Sequence, residues 1–285
     1  MKIDSYKNQT LFVTLIIFFG LFLRGYNINF NDFWTDEMLS FYLSNPNLSF
    51  LESIKLIFES NLMMTYEIIL KFFHKIFGYN FEYSRYLTLI LSIISIFYFY
   101  KLIKNNKTYN SAILGIILLS INIYHIRYSI ELRSYTLTFL LTIILLNLIF
   151  FQGKIKELRN FFSYILIFIV SLLMLFSHAF TLIVIASINF YIFLLWVVKK
   201  NFTKNNILLF LSTLVSSLVF ILIYTNNITH TPSWIPELKN SFFTNYYFSS
   251  FFGSRILGLL HLIILLYLIF IQFNKVLKKF DIELF

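Results

Sequence analysis

Residues 161–198 read FFSYILIFIVSLLMLFSHAFTLIVIASINFYIFLLWVV and contain no charged side chain. As one helix this run would be roughly 57 Å long, almost twice the roughly 30 Å hydrocarbon core of a bilayer. The polar pair Ser177-His178 lies near its middle. The run therefore predicts two membrane helices joined at a turn that contains His178, and with them an integral membrane protein.

The rest of the chain supports this class. Of its 285 residues, 59% are hydrophobic and 13% are charged, whereas a soluble domain is roughly 45–50% apolar. Apolar runs long enough to cross a bilayer recur along the chain. We predict an all-α, polytopic transmembrane bundle of about eight spans, at residues 9–25, 86–103, 109–126, 134–151, 161–177, 179–198, 207–224 and 256–273.

The distribution of charge gives this arrangement an orientation. With eight spans, one face receives fourteen of the 23 basic residues but only four of the 13 acidic ones, so the whole net charge of +10 lies there. Basic loops stay on the cytoplasmic side of a membrane. We therefore expect both termini to be cytoplasmic and the polar clusters of the other loops to be extracytoplasmic. A positive charge in short loops between spans does not indicate nucleic-acid binding.

Two outer loops are expected, at about 26–85 and 225–255. Within the first, residues 50–60 and 62–78 carry charges between apolar positions, which is typical of amphipathic helices on a membrane surface. The sequence shows no repeat and no linker, so one integral domain over 1–285 is predicted. The chain has no cysteine and only seven glycines, which excludes thiolate chemistry and argues against a glycine-rich phosphate loop.

The stretch NDFWTDEMLS, residues 31–40, follows the first predicted span. Its adjacent carboxylates, Asp36 and Glu37, are candidate catalytic groups because a carboxylate can accept the proton of a hydroxyl. They could also hold a divalent cation. The alternative is a pair of solvated loop acids. Trp34 precedes them, and Trp234 lies in the second outer loop; both are candidate ligand contacts.

A second polar cluster, HIRYSIELRSYTL at residues 125–137, lies at the outer junction of two predicted spans. Arg127, Glu131 and Tyr135 recur every four residues, so on a helix they would share a face, from which Arg133 would point away. Arginine suits phosphate because its donors form a planar fork. The alternative is an Arg127–Glu131 salt bridge with Arg133 extended to the lipid headgroups. His178 is a candidate site residue at its predicted turn, and no histidine shows metal-ligand spacing.

The order of these elements resembles a known family. The residues concerned are WTDE at 34–37, FGYNFEYSRY at 77–86, IRYSIELRSYTL at 126–137, the turn histidine and SWIP at 233–236. Together they resemble the membrane glycosyltransferases of the GT-C fold, in particular the bacterial relatives of protein O-mannosyltransferases and aminoarabinose transferases.

That resemblance implies a function and roles for residues. Such enzymes move a sugar from a polyprenyl-phosphate donor to a glycan, lipid or protein acceptor on the outer face of a bacterial inner membrane. It implies that Asp36, with Glu37 beside it, is the catalytic position, and that Arg85, Arg127 and Arg133 stabilise the departing phosphate. No cofactor is implied with certainty. Two alternatives remain open: a transporter or flippase for a lipid-linked sugar, and a non-catalytic subunit of a glycan-assembly complex.

Overall fold

The structure is a computed structural model that describes residues 2–26, 28–60, 62–152, 154–158, 160–200, 202–227, 241–245, 248 and 254–283. The chain divides into two compact units, Met1–His230 and Thr231–Phe285. Each unit is described by itself below. The prediction of a single integral domain stays a prediction.

The first unit is built almost entirely of helices. They are α1 (Lys2–Gly25), α2 (Thr35–Leu43), α3 (Phe50–Glu59), α4 (Met64–Phe77), α5 (Phe81–Asn106), α6 (Tyr109–Ile121), α7 (Ile123–Ser129), α8 (Tyr135–Ile149), α9 (Phe161–Leu175), α10 (Thr181–Lys199) and α11 (Lys204–Asn227). A two-residue antiparallel hairpin, β1 (Phe150–Phe151) and β2 (Lys154–Ile155), follows α8. The predicted all-α class is correct apart from this small hairpin.

The second unit contains a short helix, α12 (Phe242–Asn245), and a long one, α13 (Arg255–Glu283). From Ile256 to Phe270 almost every large apolar side chain of α13 is exposed. Exposed leucine, isoleucine and phenylalanine along a helix are favourable where the surrounding solvent is lipid. Most of the second predicted outer loop lies outside the described residues.

Seven of the eight predicted spans each coincide with most of one helix, and the span predicted at 109–126 is divided between α6 and α7. By length and composition, Phe81–Asn106, Thr181–Val198 and Lys204–Asn226 are long and apolar enough to cross a membrane. The pair α6 and α7 would make a fourth span, bent by 59° at Asn122. The apolar parts of α1, α8, α9 and α13 are shorter. The chain is thus an α-helical membrane protein, and the number of spans predicted from sequence remains a prediction.

The central helix of the first unit is α5, which packs against α8, α6 and α1, while α9 packs against α8 and α11. The main core joins buried side chains of α2, α4, α5, α8, α9, α10 and α11. A smaller core around Val13, Ile96 and Ile116 joins α1, α5 and α6. The predicted break in residues 161–198 is confirmed: α9 ends at Leu175 and α10 begins at Thr181, with His178 in the turn.

The first predicted outer loop contains the three helices α2, α3 and α4, and α4 differs from a simple surface helix. A helix lying on a membrane would turn its charged face to water. Here Glu67, Lys71 and His74 are buried inside the protein, whereas Phe72 and Ile76 on the opposite face are exposed. The helix is where the sequence predicted it, but its polar face is directed toward α2 and α5. The polar side chains of α4 therefore contact other parts of the protein, and part of its apolar face is exposed.

The start of α4 is fixed by the end of α9. The backbone N–H of Thr65 donates to the carbonyl oxygen of Phe176 at 3.0 Å, and its hydroxyl donates to the carbonyl oxygen of Leu173, also at 3.0 Å. The first turn of a helix has unpaired N–H groups and the last turn has unpaired carbonyl groups. These bonds pair groups at the start of α4 with groups at the end of α9. They hold α4 beside the turn that contains His178.

Candidate functional site

Glu37 forms a buried ion pair with Arg85 at the start of α2. Its Oε2 accepts from Nη2 of Arg85 at 2.9 Å, and its Oε1 accepts from Nε at 3.1 Å, so the contact is bidentate. The carboxylate also accepts the backbone N–H of Leu132 at 2.7 Å and that of Trp34 at 3.3 Å. The two side chains, Arg85 and Glu37, are only 5% and 2% exposed. The acceptor capacity of Glu37 is therefore fully used.

The remaining donors of Arg85 organise the loop before α2. They reach the carbonyl oxygens of Ile28, Asn31 and Asp32 at 3.2, 2.7 and 3.3 Å. The guanidinium carbon also lies 4.6 Å from the centre of the Phe33 ring, which is a cation–π distance. Arg85 thus ties residues 28–37 to the start of α5. The sequence predicted Arg85 as a phosphate ligand, but in this structure its donors are directed at the protein.

Asp36 has the opposite environment. Its side chain is 41% exposed, and its Oδ2 lies 3.5 Å from Nη2 of Arg133. Nη1 of Arg133 also donates to the carbonyl oxygen of Asp36 at 3.3 Å and to Oγ of Ser40 at 3.4 Å. These contacts are long and leave Asp36 with free acceptor positions. Of the adjacent pair, Asp36 is the carboxylate that a ligand can reach.

Ser40 connects this ion pair to a third carboxylate that the sequence analysis did not select. The Ser40 hydroxyl donates to Oε1 of Glu67 at 3.1 Å. Burial raises the pKa of Glu67 to about 7, although the nearby Arg133 opposes this shift. Glu67, Lys71 and His74 occur at i, i+4 and i+7 on α4, and this shared face was the available signal. Sequence alone did not tell whether that face is turned inward.

The segment from Arg127 to Tyr135 is not one helix. Because α7 ends at Ser129 and α8 begins at Tyr135, the expected common helical face does not exist. Arg127 instead pairs with Glu131 at 3.2 Å, as the salt-bridge alternative predicted. Burial raises the pKa of Glu131, and Arg127 counteracts this effect. Arg133 does point elsewhere, as predicted, but it turns inward to Asp36 instead of outward to headgroups.

Most of the predicted site residues line one cavity of about 770 Å³. It is open to the surface between the loop after α1, the start of α5 and the α7–α8 connection. Its walls include the candidates Trp34, Glu37, Arg85, Arg127, Glu131 and Tyr135. Arg127, whose side chain is 73% exposed, is the wall cation best placed to meet an anion. We refer to this space as the main cavity.

An apolar cavity of about 310 Å³ shares Tyr128 and Tyr135 with the main cavity. Its other walls include Leu119 and Phe139, and it lies between the bend of α6 and α7 and the first turn of α8. The two spaces thus present polar and apolar surfaces on either side of the same two tyrosines. Such a pair of surfaces suits an amphiphilic ligand.

The bend at Asn122 is stabilised by a buried arginine that the sequence analysis did not select. Arg24 donates to the carbonyl oxygens of Leu119 and Ser120 at 3.0 and 2.9 Å. Its Nη2 also lies 2.8 Å from Nδ1 of His125. The last carbonyls of a helix need external donors, and Arg24 supplies them where α6 ends. This polar group is consistent with a structural role at the bend.

His178 lies 5.9 Å, centroid to centroid, from the ring of Tyr135. Its Nδ1 accepts the backbone N–H of Phe180 at 3.3 Å. Burial lowers the pKa of His178, and the charge of Arg133 lowers it further. The histidine is therefore neutral at neutral pH and belongs to the neighbourhood of Arg133, not to the walls of the main cavity.

The remaining predictions concern Trp234 and a metal. Trp234 lies outside the described residues, so its candidate role stays a prediction. Among the described residues, no three histidine or acidic side chains are grouped as a metal site. A divalent cation at the acid pair stays untested.

Comparison of the chain with protein-family models, curated proteins and solved structures finds no match. The function is therefore argued from the residues and their geometry.

Proposed function

We propose that this protein is a membrane glycosyltransferase that moves a sugar from a polyprenyl-phosphate donor to an acceptor on the extracytoplasmic face. The observation that carries the proposal is the partly exposed carboxylate of Asp36, held 3.5 Å from Arg133. Asp36 itself is not in the wall of the main cavity, but its chain neighbours Trp34 and Glu37 are, together with the exposed Arg127. A base and cations are the two requirements of sugar transfer with a phosphate leaving group.

The reaction assigns different tasks to these groups. The carboxylate of Asp36 takes the proton of the acceptor hydroxyl as that oxygen bonds to the anomeric carbon. The bond between the anomeric carbon and the phosphate oxygen breaks, and the phosphate leaves with the electron pair. Arg127 and Arg133 stabilise the charge that develops on the phosphate. Glu37 and Arg85 position the loop, because their hydrogen-bonding groups are already occupied.

The two adjoining cavities support the proposed donor class. A polyprenyl phosphate has a charged head and an apolar chain. The main cavity offers Arg127 to the head, and the apolar cavity beyond Tyr128 and Tyr135 offers a surface for the first isoprene units. The acceptor is a glycan, a lipid or a protein. The family resemblance of the sequence supports the same assignment.

A second candidate function is a transporter of lipid-linked sugars, and the bend of α6 and α7 favours it. Transporters often bind their substrates at broken helices near the middle of the membrane. Here the 59° bend is filled by Arg24, which bonds to the free carbonyls of α6. Because Arg24 already pairs the carbonyl groups at the bend, they are not free to bind a substrate. The enzyme therefore remains the better-supported assignment. A non-catalytic subunit would retain the bundle but would not need Asp36.

The test is sugar transfer by the purified protein in proteoliposomes, with radiolabelled sugars on polyprenyl phosphate and a membrane extract as the source of acceptor. Asp36→Asn should lower the rate about 10²- to 10⁴-fold, the contribution typical of a general base. Glu59→Gln, which alters an exposed acid of α3, is the matched control and should retain the wild-type rate. Equal rates in wild type and Asp36→Asn would exclude Asp36 as the base. Movement of donor across the bilayer without transfer would establish the transporter.

The outer location of the site has its own test. The chain has no cysteine, so a thiol reagent can react only with a cysteine introduced by mutation. Asn47→Cys lies on an exposed position between α2 and α3, and Asn110→Cys lies on an exposed position at the start of α6. An impermeant thiol reagent added outside intact cells should label the first and not the second. Labelling of the second cysteine and not the first would show that the protein has the opposite orientation in the membrane.

A further inference from the structure

A third cavity, of about 190 Å³, has Arg133 in its wall. It is formed where α4, the start of α8 and the α9–α10 turn meet. The polar and small residues of its wall are Glu67, Arg133, Ser134, Ser177, His178 and Ala179. Of these, only Arg133 and His178 belong to the predicted site, and none is in the wall of the main cavity. We refer to this space as the inner cavity.

Two buried polar atoms on residues that line the inner cavity have no hydrogen-bond partner among the described residues. They are Oε2 of Glu67 and Nε of Arg133. The Glu67 residue is only 3% exposed. Leaving a buried donor or acceptor unpaired is unfavourable. One unpaired acceptor and one unpaired donor on residues that line the same cavity favour a ligand that both donates and accepts hydrogen bonds.

The charges around the inner cavity restrict that ligand. Arg133 disfavours a cation, and its attraction for an anion is already offset by the carboxylate of Asp36 at 3.5 Å. Glu67, with a pKa of about 7, is partly ionised at neutral pH and adds further negative charge. Burial and the charge of Arg133 lower the pKa of His178, so the histidine adds no charge at neutral pH. The serine hydroxyls of the wall are neutral as well. A neutral group with several hydroxyls satisfies these conditions, because each hydroxyl can donate and accept.

We infer that the inner cavity is a binding site for a neutral, hydroxyl-bearing molecule. Glu67 accepts a hydrogen bond from one hydroxyl of this molecule, and the guanidinium of Arg133 donates to another. Arg133 also contacts Asp36, so the site and the candidate base share one arginine. The further assignment of the molecule as the sugar acceptor rests on the proposed function, whereas the binding itself does not.

The experiment measures binding of two neutral probes, glycerol and methyl glucoside, to the full-length protein in nanodiscs. Saturation transfer from protein to probe, followed by titration, gives each dissociation constant. Ala179→Phe fills the inner cavity and should raise the dissociation constant at least tenfold. Ala186→Phe makes the same change at an exposed position of α10 and should leave it unchanged. The absence of probe binding to the wild type, or equal binding to Ala179→Phe, would overturn the inference.

Glu67→Leu provides a second variant in case Ala179→Phe does not fold. It removes the unpaired Oε2 and the bond from Ser40 without adding volume, and Ser40 keeps its contact with Arg133, so the fold should tolerate it. Probe binding should fall at least tenfold. Wild-type binding in this variant would also overturn the inference. In the transfer assay, both variants should lose sugar transfer to the acceptor while still releasing sugar from the donor to water. If the wild type binds the probes but transfers no sugar, the proposed function is refuted. The inference that the inner cavity is a binding site is then still supported.

Discussion

Asp36 and Glu37 are neighbours in the chain, yet the fold gives them opposite environments. Glu37 is buried and accepts four hydrogen bonds, two of them from Arg85. Asp36 is partly exposed and makes one long ion pair with Arg133. Arg133 in turn lies beside Glu67, which has a free oxygen. One ion pair is therefore complete and structural, and the other is incomplete and available for a ligand.

The largest effect should come from breaking the complete pair. Arg85→Met leaves Glu37 buried without its counter-charge and should lower the free energy of unfolding by about 3–5 kcal/mol. Arg127→Met removes the exposed partner of the Arg127–Glu131 pair, whose side chains are 73% and 16% exposed, and should cost only about 1 kcal/mol. Reversible denaturation in mixed micelles measures both. Equal losses would mean that the two ion pairs do not differ in the way the structure indicates.

The next effect concerns Glu67, which lies near Arg133 of the incomplete pair, and it depends on pH. Glu67 has a pKa of about 7 in the folded protein and about 4.5 when unfolded. A raised pKa contributes stability that is present below pH 4.5 and lost as the pH rises through 7. The loss should be about 3 kcal/mol at 1.36 kcal/mol per pKa unit.

Glu67→Gln isolates this contribution, since it removes the titration but keeps an oxygen for Ser40. The difference in unfolding free energy between wild type and variant should change by about 3 kcal/mol between pH 4.5 and pH 8. Burial lowers the pKa of His74, which adds a pH dependence of its own, but it is common to both proteins and cancels. A pH-independent difference would show that Glu67 is not desolvated.

A smaller effect tests whether α4 is held by its inward polar face. Nζ of Lys71 donates to the carbonyl oxygens of Asn45 and Leu48 at 2.6 and 2.7 Å, and to Oγ of Ser53 at 2.9 Å. Lys71→Met should lower the free energy of unfolding by about 1–3 kcal/mol because these buried acceptors lose their donor. Lys75→Met, at an exposed position of the same helix, should change it by less than about 0.5 kcal/mol. Similar values for the two variants would place Lys71 in solvent.

The smallest change in stability should be that of Asp36→Asn. Its ion pair is partly exposed, and such pairs contribute about 0–1 kcal/mol. The same substitution is expected to abolish most of the transfer activity. A stability loss above about 2 kcal/mol would indicate that Asp36 is a structural residue like Glu37, and the activity loss could then not be assigned to chemistry.

Much of the architecture was accessible from sequence. Long apolar runs predicted the helices, and the polar pair Ser177-His178 predicted the break between α9 and α10, because both follow from local composition and the thickness of a bilayer. The inward turn of Glu67, Lys71 and His74 was not accessible. An amphipathic pattern shows that one face differs from the other, but it does not show whether the polar face meets water or buried partners.

Part of the candidate site could likewise be predicted from sequence, and part could not. The residues around Asp36 and Arg127 were selected from sequence, and six of the selected residues line the main cavity. Their common helical face was wrong, because the chain leaves the helix between Ser129 and Tyr135. Glu67 and Arg24 were missed because the importance of each comes from its burial, which the sequence pattern does not show.

By itself, the sequence determined that this is an α-helical membrane protein with its polar clusters gathered in the predicted outer loops, because hydropathy and charge act locally along the chain. Only the tertiary structure decided which of two adjacent carboxylates is free to react. That choice depends on Arg85 and on the backbone N–H of Leu132, which lies 95 residues from Glu37. Burial and hydrogen bonding by such distant residues set the chemistry of a carboxylate, and no local pattern encodes them.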